Sequence, residues 1–323
     1  MGLTMSETDI KENIKELMKI PGVGKTTAIK LYNAGYTTIR VIALSSPRLL
    51  AEHTGIGEKT AKKIVDAARK LTRLGFVTAR ELLVERKNIK RVTTGSKSLD
   101  ELLGGGVQTS AITEFAGEYR TGKTQLCHTL AVTVQLPEEK GGLAGRALYI
   151  DTEGTFRPER IVPIAKRFGL SPEEALENIY VVRVFSTDMQ MEVVREIRKE
   201  IPKKNIKIVL IDSVTSLFRA EFHGIDTLAI RQQMLNQHLL DLKLLAWAFN
   251  IPVVVTNQVV ATPGVMFGNP LQPIGGHVLA HAVTYRVFLR KGKGDTRVAK
   301  IIDAPDLPEA EATFRITTGG ICD

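Results

Sequence analysis

The chain is predicted to fold as an α/β core on a mostly parallel, twisted sheet, with a small all-α domain ahead of it. Three observations predict this. From Gly95 onward, strand-sized apolar runs alternate with helical patterns, the order expected of a parallel sheet covered on both faces. The octet Gly117-Glu118-Tyr119-Arg120-Thr121-Gly122-Lys123-Thr124 reads G-x-x-x-x-G-K-T and lies between an apolar stretch (Ala111 to Ala116) and a helical pattern (Gln125 to Val132). Nearer the start, two segments share the outline G-[VI]-G-x-[KT]-T-A, with helical patterns on both sides of each.

The length of 323 residues suits two domains, one of them small, with 43% hydrophobic residues to fill a core. We expect a domain over 1–70, a linker over 71–92 and the α/β core over 93–323. Apolar runs such as Ile206 to Ile211 are strand-sized, far short of the roughly 20 residues that span a bilayer. The polar, mixed-charge stretch Met1 to Glu12 is no signal peptide, so an intracellular protein without a membrane partner is expected. Two cysteines, Cys127 and Cys322, are too few for a disulfide framework or a zinc site. The net charge of +9 is concentrated: residues 1–75 hold 13 Lys/Arg against 7 Asp/Glu. A basic small domain suggests a polyanion partner.

In the small domain, Ile20 to Ala28 and Thr54 to Ala61 look like two helix-hairpin-helix motifs. Gly22 and Gly24 allow a tight turn that exposes backbone amides at a helix start, which suits a phosphate oxygen, with Lys25 or Lys59 beside it. The first copy, with Lys25 and Lys30, is favoured for DNA contact. The linker is crowded with charge around Phe76-Val77-Thr78-Ala79. Phe76 and Ala79, spaced F-x-x-A, could add a strand to a neighbouring molecule's sheet edge; alternatively Phe76 packs on its own domain.

The octet is the strongest signal. Its glycines let backbone amides surround phosphates, Lys123 can reach the β- and γ-phosphates, and the Thr124 hydroxyl can ligate Mg²⁺. Three more strand ends should join it, because ligands of such sheets sit at the carboxyl ends of strands. Arg146 to Glu153 emerges with Asp151 and Glu153, Ile206 to Ser213 ends in Asp212, and Val253 to Gln258 ends in amides. Hydrolysis of a phosphoanhydride needs a metal, a charge cradle and a residue that positions water. Asp212 suits the metal. Glu153 is chosen over Asp151 as the group that activates water, although strand alternation places both on one face. Gln258 can sense the γ-phosphate and pass its presence to residues 259–270, and a second loop, Arg219 to Asp226, comes after the Asp212 strand.

These residues match a known family. Gly117 to Gln125, Tyr149 to Arg160, Thr256 to Val259, Pro273 to His277 and Leu289 to Gly294 resemble the archaeal RadA recombinases, and the similarity runs over essentially the whole chain. The resemblance implies a RecA-like ATPase core that polymerises on single-stranded DNA and exchanges strands with homologous duplex. It implies ATP and Mg²⁺ as cofactors, with Asp303 near the cap leaving room for a monovalent cation such as K⁺. By the family pattern, Glu118, Tyr119, Arg120, Thr121 and Gln125 join the nucleotide site and Arg160 lies on the adenine. Asp303 and Pro305 belong to a cap that closes over ATP from the adjacent protomer. His277 and His281 relay nucleotide state. Arg231, Val259, Thr262, Gly264, Gly275 and Gly276 fall in the DNA-binding loops, and Phe76 with Ala79 matches the polymerisation motif. Self-association as a filament or ring, recombination mediators and, in an archaeon, a nucleoid-associated location are implied by the same resemblance.

The departures are specific. Tyr119-Arg120-Thr121 replaces the usual archaeal Phe-Gly-Ser and is closer to the eukaryotic recombinases. Gly224-Ile225-Asp226 stands where Gly-Arg-Gly is typical, Thr262 and Gly264 replace an Arg and an Asp, and Asp306 replaces a His in the cap. Fewer phosphate contacts imply weaker DNA binding and a flatter salt dependence. A regulatory paralogue, a ring helicase and a scaffold that uses ATP only to order itself are the competing readings. The paired hairpin motifs and the F-x-x-A linker favour the recombinase, and Glu153 argues against the scaffold.

Overall fold

The computed structural model describes residues 7–72, 74–261 and 271–323. Two compact units make up the chain: Met1–Asn88 with Glu192–Lys203, and Ile89–Met191 with Lys204–Asp323.

The first unit is helical: α1 (Glu7–Leu17), α2 (Lys25–Asn33), α3 (Ile39–Leu44), α4 (Pro47–Thr54), α5 (Glu58–Leu71) and α6 (Ala79–Glu85). Both G-x-G segments are turns between helices. Gly24 and Gly57 are the N-caps of α2 and α5, and neither helix start is closed by a capping side chain. Their first amides are thus left for another acceptor. Lys25 and Lys30 are exposed, while Ala28, Leu31, Ile64, Val65 and Ala68 are buried. Thr78 caps α6 in a capping box with Glu81. Phe76 just ahead of it is fully exposed, and Ala79 at the helix start is exposed too, so Phe76 does not pack on its own domain.

The second unit contains β1 (Arg91–Val92), α7 (Lys97–Leu102), β2 (Val107–Gln108), β3 (Ile112–Gly117), α8 (Lys123–Thr133) and β4 (Arg146–Asp151). Next come α9 (Pro158–Arg167), α10 (Pro172–Glu177), β5 (Ile179–Arg183), α11 (Thr187–Glu200), β6 (Ile206–Asp212), α12 (Ser216–Glu221) and α13 (Leu228–Phe249). Of α11, the part from Glu192 onward belongs to the first unit. The second unit closes with β7 (Val253–Asn257), β8 (Val259–Ala261), β9 (Leu271–Pro273), α14 (Gly276–Ala282), β10 (Tyr285–Lys291), β11 (Thr296–Asp303), β12 (Glu311–Thr317) and β13 (Gly320–Cys322).

The main sheet has the order β13-β12-β11-β10-β3-β7-β6-β4-β5. The stretch from β10 to β5 is parallel, and β10 to β13 is an antiparallel extension. Alternation explains why the central strands read as unbroken apolar runs. Ile208 and Leu210 of β6 and Val254 of β7 join a core with Leu126 and Leu130 of α8, Ile164 of α9, and Phe314. Their neighbours Val209, Ile211, Val253 and Val255 are buried outside that cluster, with α13 packed on β3 and β7. Both faces are covered, which forces both residue parities to be apolar. The ends of β3, β4, β6 and β7 therefore lie side by side.

Candidate active site

A cleft of about 700 Å³ opens over these strand ends, within the size range of small-molecule sites. Gly117, Glu118, Tyr119, Arg120, Thr121, Gly122, Lys123, Thr124 and Gln125 line one side, and Glu153, Asp212, Gln258 and Val259 the other. Segments far apart in sequence converge there.

The loop between β3 and α8 is wrapped tightly. A Cβ on Gly117 would sit 2.3 Å from the Leu289 carbonyl oxygen, and one on Gly122 would sit 2.9 Å from the Ile316 side chain. Gly122 (φ 107°) is the N-cap of α8, which has no capping side chain, so its first amides face the cleft. Thr121 Oγ1 donates to the Glu118 carbonyl at 2.8 Å, and Lys123 Nζ donates to the carbonyls of Gly117 and Glu118, each at 2.8 Å. Burial pushes the Lys123 ammonium below its ordinary value, opposed by the negative charges of Asp212 and Glu153. Arg120 takes a left-handed backbone (φ 65°), its carbonyl accepts from Arg297 Nε at 3.0 Å, and its guanidinium lies over the Tyr119 ring.

Asp212 is buried at the end of β6 and collects hydroxyls. Thr124 Oγ1 (2.7 Å) and Tyr149 Oη (2.8 Å) donate to Oδ2, and Thr256 Oγ1 donates to Oδ1. Burial, and after it the Asp212 charge, raises the Tyr149 phenol well above its ordinary value and keeps it a donor. A hard, oxygen-only set built on Thr124 and Asp212 fits Mg²⁺ completed by water and phosphate oxygens. Among the described residues no group of three or more His, Cys, Asp or Glu could hold a metal by itself.

The two carboxylates after β4 part company. Sequence alternation put Asp151 and Glu153 on one face, but β4 ends at Asp151 and Glu153 lies in the turn beyond it. Asp151 is buried and accepts from the backbone amides of Glu153 (3.3 Å), Thr155 and Phe156 (both 3.1 Å), so it shapes the turn. Glu153 is exposed in the cleft, where its Oε1 accepts from Ser213 Oγ at 2.7 Å and from Gln258 Nε2 at 3.0 Å. The same turn is tied to α8 through His128, whose Nδ1 donates to the Thr124 carbonyl and whose Nε2 accepts from the Arg157 amide. Burial lowers the His128 imidazole below its ordinary value, which suits that neutral, accepting nitrogen.

Arg160 stands beside the cleft. Its Nε donates to Gln125 Oε1 (2.9 Å), and its other nitrogens donate to the carbonyls of Thr317 (2.8 Å) and Thr318 (3.1 Å). Asp303, at the end of β11, and Pro305 are exposed and do not line this chain's own cleft. His277 and His281 stack on exposed α14 positions, ring centroids 5.8 Å apart, at the rim of a second hollow of about 300 Å³. Gly275 (φ 101°) is the N-cap of α14, which begins at Gly276. Arg231 on α13 donates to the Phe222 carbonyl at 3.2 Å, and the preceding Gly224, Ile225 and Asp226 are all exposed. Val259, assigned from sequence to DNA, lines this cleft. Thr262 and Gly264 lie outside the described residues.

Asn257, next to Gln258, is fully buried. It donates to Glu114 Oε1 (2.7 Å) and the Ile274 carbonyl (2.6 Å) and accepts from Thr215 Oγ1 (2.7 Å). Glu114 in turn holds Arg286 Nε at 2.6 Å. Sequence reading missed this network, along with Ser213, Thr155, Leu271, Arg297 and Ile316 around the cleft. Ser213 alone had a local signal, as the residue directly after a strand-end acid.

Comparison with known proteins bears on this arrangement. The Rad51 family model matches residues 85–323, and a SAM-like helix-hairpin-helix tandem model matches residues 14–70. The chain is 53% identical over 313 residues to a protein of Aeropyrum pernix named "DNA repair and recombination protein RadA", covering 97% of this chain and 98% of the relative. A protein of the same name from Ignicoccus hospitalis is 50% identical over 328 residues, covering 100% and 99%.

Proposed function

Since the chain belongs to the Rad51 family, we propose that it is an ATP-dependent DNA recombinase that assembles on single-stranded DNA, pairs it with homologous duplex and exchanges strands. The cleft is the ATPase site. One observation carries the reading: Gln258 Nε2 donates to Glu153 Oε1 at 3.0 Å, at the junction of β7 with the segment that leads away through β8. A γ-phosphate that competes for the Gln258 amide would alter both that bond and the start of that segment, coupling nucleotide state to DNA.

In this reading Lys123 and the α8 amides hold the phosphates, and Thr124 with Asp212 hold Mg²⁺. Bound Mg²⁺ neutralises charge on the phosphate oxygens. Glu153 orients water and accepts its proton, and Arg160 offers the flat face of its guanidinium to the adenine while its edge is spent on Gln125, Thr317 and Thr318. Asp303 and Pro305 close over a neighbour's nucleotide, and a monovalent cation such as K⁺ sits near Asp303. Exposed Phe76 with Ala79 joins protomers, and His277 and His281 relay nucleotide state. Residues 1–70 grip DNA through Lys25 and the uncapped start of α2, 71–92 dock, and 93–323 hydrolyse. Arg231, Val259, Thr262, Gly264, Gly275 and Gly276 serve the DNA loops. Recombination mediators are further partners. Among the described residues no helix is long and apolar enough to cross a membrane.

The test is binding to labelled single-stranded DNA with a non-hydrolysable ATP analogue and with ADP, across a salt series. Cooperative binding that needs the analogue supports the reading, and weak binding indifferent to nucleotide overturns it. Glu153→Gln should abolish turnover and leave ATP binding intact.

A further inference from the structure

We propose that Ser213 is a positioning residue for the Glu153 carboxylate and selects which of its oxygens meets the attacking water; this rests on Glu153 as the water-activating group. Glu153 sits on an exposed turn, where its side chain would otherwise exchange among rotamers. Ser213 Oγ (2.7 Å) and Gln258 Nε2 (3.0 Å) both donate to Oε1. An ionised carboxylate offers about two acceptor directions per oxygen. Both donors fall on Oε1 and neither on Oε2. When Gln258 turns to the nucleotide, the Ser213 bond still holds Oε1, and Oε2 is the oxygen left to take the proton of the attacking water.

The two donors differ in kind. Gln258 comes directly after β7 and lines the cleft, where a γ-phosphate would compete for its amide. Ser213 is buried and stapled to the residue preceding Glu153. Its amide donates to Thr152 Oγ1 (2.8 Å), that hydroxyl donates back to the Ser213 carbonyl (2.9 Å), and the Thr152 amide donates to the Asp212 carbonyl (3.0 Å). Thr152 Oγ1 also lies 2.7 Å from Ser216 Oγ, which must then be the donor of that pair. Ser213 is thus fixed to the strand pair that carries Asp212 and Glu153, and it holds Oε1 whatever Gln258 does. The metal-associated acid and the anchor of the base are consecutive residues.

The experiment is steady-state and single-turnover ATP hydrolysis, with single-stranded DNA and Mg²⁺, by the full chain and its Ser213→Ala, Ser213→Thr, Glu153→Gln and Glu153→Gln/Ser213→Ala variants. Thermal melting and binding of a fluorescent ATP analogue establish that each is folded. Ser213→Ala should lower kcat about ten-fold, the loss of one hydrogen bond to a charged group, with KM within about two-fold. Ser213→Thr, which keeps the hydroxyl, should recover most of that loss. In the Glu153→Gln background the same Ser213→Ala change should leave residual single-turnover hydrolysis unaltered. An unchanged kcat in Ser213→Ala beside an inactive Glu153→Gln overturns the proposal alone, and so does an equal loss in both backgrounds. Parental turnover by Glu153→Gln overturns the assignment of the base itself. If Ser213→Ala does not fold, Ser213→Cys, similar in volume and only a weak donor, is read in its place.

Discussion

Thr124 Oγ1 donates to Asp212 Oδ2 across 2.7 Å, joining the first turn of α8 to a strand end 88 residues away. Tyr149 and Thr256 add their hydroxyls to the same carboxylate, so Asp212 is oriented before any cation arrives. Asp212→Asn keeps the shape but gives up the charge. Mg²⁺-dependent ATP turnover should fall by at least about 100-fold, because metal stabilisation of phosphoryl transfer is worth several kcal/mol. Stability should fall by only about 1 kcal/mol, since one oxygen still accepts. Hydrolysis across a Mg²⁺ series, with urea unfolding alongside, checks both.

Arg120 occupies a left-handed backbone position (φ 65°) where the typical archaeal loop has Gly. Both Arg120→Gly and Arg120→Ala remove the cation over Tyr119, and both keep the backbone bond from Arg297 to the residue 120 carbonyl. They differ in left-handed strain, which favours Gly, and in unfolded-chain entropy, which favours Ala by a smaller amount. Arg120→Gly should be the more stable by about 1 kcal/mol, the reverse of the helix-interior order. Chemical denaturation of the two variants decides it.

Ile225 is 89% exposed in the loop after α12, an apolar side chain where the resemblance to the archaeal recombinases leads us to expect a cation. Ile225→Arg should tighten single-stranded DNA binding and steepen the salt dependence of log K by about one unit. ATP hydrolysis without DNA should not change. Fluorescence anisotropy in a salt series reads the slope directly.

The Asp323 carboxylate closes the start of α7, accepting from Ser96 Oγ (2.6 Å) and from the amides of Lys97 (3.1 Å) and Ser98 (2.9 Å). The Ser96 hydroxyl, with the Ser98 amide next, holds it down at about 2 from an ordinary 3.8. Because the folded value is the lower one, this contribution is present above about pH 4 and is lost as pH falls through about 2. Asp323→Asn should lower the melting temperature at pH 7, and the gap should close towards pH 2. The carboxylate is exposed to solvent, so the gap should be small.

The convergence of side chains on one cleft was legible in sequence wherever it depends on the residues at and just past a strand end. The octet, Asp212, Glu153 and Gln258 each sit there, and a parallel sheet brings those ends together whatever the loop lengths. Glu153 and Asp151 were not separable by alternation, because the strand stops between them and Asp151 is consumed by three amides of the turn. Arg297 and Ile316 reach the cleft from β11 and β12, antiparallel strands whose register has no local mark. The Glu114–Arg286 pair was hidden for another reason. Glu114 is fully buried in β3, and only its partners on two neighbouring strands make a charge tenable there.

The two residues that bracket positions 262–270, Ala261 and Leu271, are paired with each other. Val259 pairs with Pro273 and Ala261 with Leu271, the Ile274 amide donates to the Gln258 carbonyl at 3.0 Å, and buried Asn257 holds the Ile274 carbonyl. The entropy of bringing these two ends together is met by the folded core. Lengthening such a closed excursion adds only about 0.6 kcal/mol per doubling. Substitutions, and even insertions, between positions 261 and 271 should therefore leave the registration of Gln258 with Glu153 intact.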